Sequence, residues 1–406
     1  MTESKKFTLG LIPKLIIAII IGVILGGFLP ETAIRVIVTI GGLFGKFLNF
    51  VIPLMIVAFV AKGIADLSEG AGKLLGITLI LSYGSTLIAG TLSYTMASNI
   101  FPSFISAEMA EKVKNIEGLE PFFTIPLNPI LEVTSALVLA FMLGLTVSIL
   151  RSKNQGQAFY NLISEFNEII VLVLSKAIIP ALPFYIFCNF ASMSYSGSVF
   201  AILSIFIKIF GCIIVLHILY LLAMFLISGT YSGKNPIKSF RKALPAYVTA
   251  VGTQSSAATI PVNVNCNKNI GVTKQIREFV IPLCATCHMP GSMITLTACV
   301  YTLLCMYSMP HSYALIIKFI AILGITMVAA PGAPGGAVMS ALPFLPVVGI
   351  ATESPLATIL ISLYITQDSF GTAANVTGDN AISMSVEKFY YKNILKKPIP
   401  KETEEA

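Results

Sequence analysis

Long apolar segments alternate with short polar ones along most of this chain. Runs of about 20 apolar residues are long enough to cross the hydrocarbon core of a bilayer as helices. Before residue 230, such runs occupy residues 11–29, 34–60, 74–101, 130–150, 159–188 and 199–227. Pro180 and Pro183 predict a bend in the fifth run, and the polar stretch 102–120 predicts an external loop. The pattern predicts an all-α integral membrane protein.

Two later segments interrupt this pattern with small and polar residues. Residues 249–265 read TAVGTQSSAATIPVNVN, and residues 326–341 read TMVAAPGAPGGAVMSA. Non-helical backbone at membrane depth survives only where protein or a water-filled cavity satisfies its N–H and C=O groups. A long apolar segment follows each interruption, at 270–306 and at 356–384. A pair of interrupted segments at corresponding positions is typical of the binding site of a transporter.

The last apolar segment carries a stripe of polar residues. Asp368, Thr372, Asn375 and Asp379 fall at i, i+4, i+7 and i+11, which is one face of a helix and spans roughly 16 Å. An ionised side chain inside a bilayer costs at least ~2.5–3.5 kcal/mol, so such a group usually marks a functional site. The stripe predicts a place for a cation and a small zwitterion.

The composition agrees with a membrane protein. Hydrophobic residues make up 56% of the chain, charged residues make up 11%, and the mean hydropathy is +0.87. The net charge is +7, which indicates no nucleic-acid partner. Lys and Arg collect near the chain ends and in 234–242, which predicts that both termini are cytoplasmic. The first run lacks a cleavage pattern and is interpreted as a retained helix. The seven cysteines show no disulfide framework.

Four motifs together resemble a known family. They are SSAATIPVN at 255–263, IPLCATCHMPGS at 281–292, APGAPGG at 330–336 and QDSFGTAANVTGD at 367–379. Their order and spacing resemble the dicarboxylate/amino acid:cation symporters, the glutamate transporter family, over roughly the C-terminal 40% of the chain. In motif detail, the chain is most similar to the sodium-coupled serine/threonine branch.

The resemblance implies an architecture. We expect eight transmembrane helices and two re-entrant helical hairpins arranged as inverted repeats, in a homotrimer of the inner membrane that works by an elevator movement. The implied domains are scaffold helices 1 and 2 (1–70), transport-domain helix 3 (71–101), the external loop with scaffold helices 4 and 5 (102–197), the transport-domain core (198–390) and a cytoplasmic tail (391–406). About two sodium ions, and no organic cofactor, are expected to move with an amino acid substrate.

The resemblance also implies site residues. Asp368 is expected to bind the substrate amino group and Asn375 the α-carboxylate. The implied substrate-binding set is Ser255, Ser256, Ser292, Ala333, Pro334, Gly335, Gly336, Asp368, Thr372 and Asn375. The implied sodium set, through side chains or backbone carbonyls, is Cys284, Thr286, His288, Val328, Asn375 and Asp379.

Departures from the family pattern change the expected substrate and ions. Acidic-substrate members carry an arginine where this chain has Gly371, and some carry one where it has Gln254. A buried side-chain carboxylate would lack its bidentate partner, so a neutral substrate such as serine, threonine or alanine is expected. Pro290 stands where the family has the aspartate of a third sodium site, so that site is expected to be absent.

Alternatives stay open at this stage. A dicarboxylate or acidic amino acid symporter is one, and a proton-coupled transporter using the titratable His288 is another. A structural role for His288 is a third. A C-x-x-C-H haem motif at 284–288 is disfavoured because it lies in an apolar helix. An enzyme is not expected, because His217, His288 and His311 show neither metal-ligand nor triad spacing. An ion channel lacks a filter motif.

Overall fold

A computed structural model describes residues 11–65, 72–105, 119–197, 199–327 and 335–400. Within these ranges the chain is helical and contains no strand. The greater part of the predicted external loop and the predicted site residues Val328, Ala333 and Pro334 lie outside the described residues.

The first apolar runs form helices where the sequence predicts them. These are α1 (Leu11–Phe28), α2 (Glu31–Ala65), α3 (Gly72–Ile100), α4 (Val133–Ser152), α5 (Gln157–Val173), α6 (Ile179–Tyr195) and α7 (Val199–Ser232). Just before the position of the bend predicted in the fifth run, a π-helical turn, Leu174–Ile178, lies between α5 and α6. Pro180 follows at the start of α6, where its missing N–H removes no hydrogen bond from the helix interior.

The first interrupted segment is a pair of helices joined by a tight break. Helix α8 (Pro236–Thr253) ends at Gln254, whose φ of 55° lies in the left-handed region, and α9 (Ser256–Ile270) starts two residues after that. The Ser255 side chain caps α9 by accepting a hydrogen bond of 3.2 Å from the Ala258 amide. The two helices pack against each other. The segment therefore does not run as one continuous helix.

The segment after this pair departs from the expectation of one long apolar element at 270–306. It contains two helices, α10 (Lys274–Cys287) and α11 (Pro290–Met306), separated by His288 and Met289. Extended backbone at His288 ends the first helix, and Pro290 opens the second, because proline is well tolerated only in the first turn. The sequence does not predict this break, because it lies within an apolar segment of sufficient length to cross a bilayer.

The second interrupted segment contains α12 (Tyr313–Met327) and the short α13 (Gly336–Ala341), which continues into a 3₁₀ turn, Leu342–Val348. Gly335, with φ of 75°, precedes α13. The last apolar segment is one 35-residue helix, α14 (Pro355–Phe389), which ends in a π-helical turn, Tyr390–Leu395. This helix carries the polar stripe.

The helices pack in two groups. In the central group, α14 contacts α7, α8, α10 and α11, and α11 also contacts α3. The peripheral group consists of α1, α2, α4, α5 and α6, with extensive contacts between α1 and α6 and between α2 and α4. We use the term central group for α3 and α7 through α14. Contacts between the two groups are sparse by comparison.

Long apolar helices make this a multi-pass membrane protein. By length and composition, five helical stretches among the described residues are able to cross a bilayer: Glu31–Lys62, Lys73–Ser103, Gln157–Tyr195, Ile205–Ser232 and Lys274–Met306, the last of which includes the break at His288 and Met289. Large apolar side chains such as Ile80 and Ile207 are more than 70% exposed, as expected for helix faces in contact with lipid. Helix α14 is almost wholly buried instead, because it lies at the centre of its group.

Candidate functional site

The polar stripe predicted on the last helix is buried. Asp368, Thr372, Asn375 and Asp379 are each no more than 6% exposed on α14. A buried carboxylate is stable only where hydrogen bonds or opposite charge replace its water. The partners of these four residues therefore define the site.

Asp368 is the centre of the first half of the site. Its Oδ2 accepts a hydrogen bond of 2.7 Å from the Gly335 amide, and its Oδ1 accepts bonds from the hydroxyls of Tyr364 (2.9 Å) and Thr372 (3.3 Å). All three donors are uncharged, and the described residues place no lysine or arginine in an ion pair with Asp368. The site therefore holds a buried carboxylate that lacks a cation.

Asn375 connects α14 to the break between α10 and α11. Its Oδ1 accepts from the amides of Gly291 (2.8 Å) and Ser292 (3.3 Å), which are unpaired donors at the start of α11. Its Nδ2 donates to Ser292 Oγ at 2.9 Å. In this structure the Asn375 amide is thus engaged by α11, next to Ser292.

Two glycines allow α11 and α14 to touch. A Cβ atom on Gly291 would lie 2.3 Å from the Gly371 carbonyl oxygen and 2.7 Å from Ala374 Cβ, so only glycine fits there. A Cβ on Gly371 would lie 3.5 Å from Gly291, an ordinary van der Waals contact. Position 371 therefore has room for a Cβ, and position 291 does not.

Asp379 and His288 form the second half of the site. His288 Nδ1 lies 2.8 Å from Asp379 Oδ1, and both side chains are buried. On the other side of the ring, His288 Nε2 lies 3.0 Å from Ser85 Oγ, and Ser85 Oγ lies 2.9 Å from the Tyr220 hydroxyl. The imidazole therefore bridges α14 to α3 and α7 at the helix break.

Several predicted site residues lie apart from these two halves. Ser255 caps α9, and Ser256 is buried beside it; neither contacts Asp368 or Asn375 by a hydrogen bond. The Cys284 thiol lies 3.5 Å from Ser82 Oγ. The Thr286 side chain is exposed and donates to the Leu283 carbonyl at 2.9 Å. Gly336 is buried at the start of α13.

The sequence analysis missed a buried asparagine network. Asn380 Nδ2 donates to Asn263 Oδ1 at 2.6 Å, and Asn267 Nδ2 donates to Asn380 Oδ1 at 3.0 Å. Ser383 donates to Asn267 at 2.9 Å, and Asn263 donates to the Val376 carbonyl at 2.8 Å. The four-residue spacing of Asn263 and Asn267 on α9 was the available signal. The network fixes α9 to α14.

Two further residues of α14 were also missed. The Tyr364 hydroxyl bridges Asp368 and Ser292, and Tyr364 stands one helical turn before Asp368. Glu387 is fully buried two turns after Asp379, where Lys234 Nζ lies 3.1 Å from its Oε2 and the Thr273 amide donates to its Oε1 at 2.7 Å. Both residues continue the helical spacing of the stripe, but they lie outside the predicted range, which runs only from Asp368 to Asp379.

Broken helices around buried carboxylates, in a chain with bilayer-length apolar helices, are typical of a secondary transporter. The profile of the sodium:dicarboxylate symporter family matches residues 11–389, and the chain belongs to this family. It is similar to the serine/threonine transporter SstT of Acinetobacter baumannii, at 26% identity over 396 residues, covering 93% of this chain and 96% of the relative. It is also similar to SstT of Bifidobacterium adolescentis, at 27% identity over 400 residues, covering 92% of this chain and 89% of the relative.

The family settles the class of protein. The chain is a membrane transporter with a small-molecule substrate and not an enzyme. The expectation of a glutamate-transporter relative, nearest to the serine/threonine branch, is confirmed.

Proposed function

We propose that this protein is a sodium-coupled symporter for a small neutral amino acid such as serine, threonine or alanine. The observation that carries the proposal is the Asp368 carboxylate, buried among uncharged donors with no cationic partner among the described residues. An ammonium group supplies the missing charge. The serine/threonine names of the relatives support the same substrate class.

The rest of the substrate site follows from the groups near Asp368. Ser292 and Thr372 offer hydroxyls, and the α9 start at Ser255 and Ser256 offers backbone amides, which suit a carboxylate. Asn375 would have to release the α11 amides, at least in part, to bind the substrate α-carboxylate. Ala333, Pro334, Gly335 and Gly336 complete the proposed set from the second hairpin.

A neutral substrate is favoured over an acidic one. The buried Arg277 donates to the Val272 carbonyl at 2.8 Å, away from Asp368, and Gly371 supplies no side chain. A second substrate carboxylate beside Asp368 would face a like charge without a counter-ion. The test is competition of labelled serine uptake by serine, alanine, aspartate and succinate. Strong competition by aspartate or succinate would favour the dicarboxylate alternative.

The residues around Asp379 fit a sodium ion that moves with the substrate. A hard cation prefers oxygen ligands. Asp379 supplies a carboxylate, and the end of α10 leaves the carbonyls between Cys284 and His288 without helical partners, although the Cys284 carbonyl itself accepts a hydrogen bond of 2.9 Å from the His288 amide. The carbonyl of Asn375 completes this proposed site. A second ion is proposed at Thr286 with carbonyls near Val328, which gives about two ions per substrate.

Movement by an elevator mechanism is proposed from the packing. The central group would carry the site as a transport domain, and the peripheral group would form the scaffold of a homotrimer in the inner membrane, with both termini cytoplasmic. The sparse contacts between the groups support this division. Eight membrane-crossing helices with two re-entrant hairpins, α8–α9 and α12–α13, are part of the same proposal.

Proton coupling is the second candidate. The observation that favours it is the placement of His288 between Asp379 and the Ser85 hydroxyl. Uptake into proteoliposomes with an imposed sodium gradient, and then with a pH gradient in sodium-free buffer, separates the two. Concentrative uptake that requires sodium supports the proposal, and concentrative uptake without sodium overturns it in favour of proton coupling.

A further inference from the structure

Tyr364 contacts the site although the family resemblance assigned it no role. It lies one turn before Asp368 on α14, and its side chain is fully buried. Its hydroxyl donates to Asp368 Oδ1 at 2.9 Å and lies 2.9 Å from Ser292 Oγ. One oxygen atom therefore touches two side chains that the proposed function assigns to the substrate.

The hydroxyl protons around Tyr364 can be ordered. A phenol carries a single proton. When that proton points to Asp368, the contact with Ser292 is made by the serine proton pointing to the Tyr364 oxygen. Asn375 Nδ2 then donates to Ser292 Oγ, over 2.9 Å. The result is a continuous chain of donors from Asn375 to the carboxylate, and buried chains of this kind strengthen each other and rigidify their members.

The hydrogen bonds from the protein also limit how many further hydrogen bonds Asp368 can accept. An ionised carboxylate has about four lone-pair positions. Tyr364, Thr372 and the Gly335 amide use three of them. One position stays available for the ammonium group of a substrate, and its direction is fixed because the other three are held by the protein.

We propose that Tyr364 is a positioning residue of the substrate site, which holds Asp368 and Ser292 in the arrangement that binds an amino acid. This inference rests on the proposed function, because it takes Asp368 as the partner of the substrate amino group. Tyr364 acts through these two side chains. Removal of the Tyr364 hydroxyl is therefore expected to weaken substrate binding more than it lowers the maximal rate of transport by the substrate-bound protein.

The test compares two tyrosine-to-phenylalanine variants in proteoliposomes. Tyr364→Phe removes only the bridging hydroxyl. Tyr185→Phe is the matched control, because the Tyr185 hydroxyl is also buried and accepts a hydrogen bond of 2.8 Å from a residue of α14, Thr358, outside the site. The measurements are KM and maximal rate for serine and alanine, the sodium concentration for half-maximal uptake, and Tm.

We expect Tyr364→Phe to raise KM roughly 10-fold to 100-fold for both substrates, the range for loss of a hydrogen bond to a charged group. The maximal rate is expected to stay within about twofold, and the KM of Tyr185→Phe to stay near that of the parent. An unchanged KM in Tyr364→Phe, or an equal rise in both variants, would overturn the positioning role. Failure of the parent protein to take up either amino acid would instead overturn the proposed function and this inference with it.

A double-mutant cycle with Ser292→Ala gives a second measurement. If Tyr364 acts through Ser292, the fold increase in KM of the double variant is smaller than the product of the fold increases of the two single variants, because either substitution breaks the same hydrogen-bonded bridge. Effects that multiply fully would show that Tyr364 does not act through Ser292 and would overturn that part of the inference. The rise in Tm of each purified variant on addition of serine gives the same comparison from binding alone, without transport.

Discussion

Lys46 Nζ lies 2.5 Å from Glu353 Oε2, and this ion pair joins the peripheral group to the central group. Lys46 lies near the middle of α2, about 22 Å along the helix from its first residue, Glu31, at ~1.5 Å per residue. Glu353 lies two residues before the first residue of α14. The pair borders a cavity of about 290 Å³ that Tyr185 and Asn189 also line. The start of α14 therefore lies beside the middle of α2. Under the proposed topology, this arrangement would correspond to an inward position of the central group.

The ion pair provides a test of the elevator proposal. In a Lys46→Cys, Glu353→Cys variant, a short bifunctional thiol reagent is expected to link the two groups and stop uptake, because the central group can no longer move. The single variants are the controls, since they reveal linkage to the native Cys188 in the same cavity. Full uptake by the cross-linked protein would show that the two groups do not move past each other.

Asp368→Asn is expected to weaken the binding of neutral amino acids strongly. The amide keeps the shape of the carboxylate but cannot supply its charge, and loss of a hydrogen bond to a charged group corresponds to roughly 1.5–3 kcal/mol, or 10-fold to 150-fold in affinity. The matched control is Glu353→Gln, the same chemical change outside the site. Serine affinity is measured by ligand-induced stabilisation. Parental affinity in Asp368→Asn would contradict the assigned role.

Gly371→Arg is expected to shift preference toward acidic amino acids. A Cβ at position 371 causes no clash, because it meets Gly291 only at 3.5 Å. An arginine at this point of α14 offers a bidentate partner to a substrate side-chain carboxylate. We expect inhibition of serine uptake by aspartate to strengthen at least about 10-fold. Gly371→Met, which is long but uncharged, is the control. No gain in aspartate binding would count against the arginine argument.

The facing glycines predict unequal effects of one substitution. Gly291→Ala is expected to destabilise the protein by about 1–3 kcal/mol, because its Cβ would overlap the Gly371 carbonyl. Gly371→Ala is expected to be neutral or slightly stabilising, since alanine favours a helix over glycine by roughly 1 kcal/mol. Tm of the two purified variants measures the difference. Equal Tm values would refute the close approach of α11 and α14.

Much of α14 could be predicted from the sequence. Helical periodicity alone places Asp368, Thr372, Asn375 and Asp379 on one face, and burial of a polar face in a membrane follows from the cost of exposing charge to lipid. The break at 254–255 was also visible, because small polar residues cannot continue an apolar span.

The contacts of that face could not be predicted. Asn375 reaches the amides of Gly291 and Ser292 across more than 80 residues of sequence, and no local pattern specifies such a pairing. The break at His288 and Met289 was missed because apolar residues flank it on both sides. Pro290 was interpreted only as the replacement of the aspartate of a third sodium site, although it is also the first residue of α11.

The contact between Gly291 and Gly371 has an evolutionary consequence. A Cβ at position 291 would force two helices apart, whereas a Cβ at position 371 meets its neighbours at an ordinary van der Waals distance. A glycine codon becomes an arginine codon through a single nucleotide change. The proposed shift from a neutral to an acidic substrate is therefore one mutational step away, through Gly371→Arg.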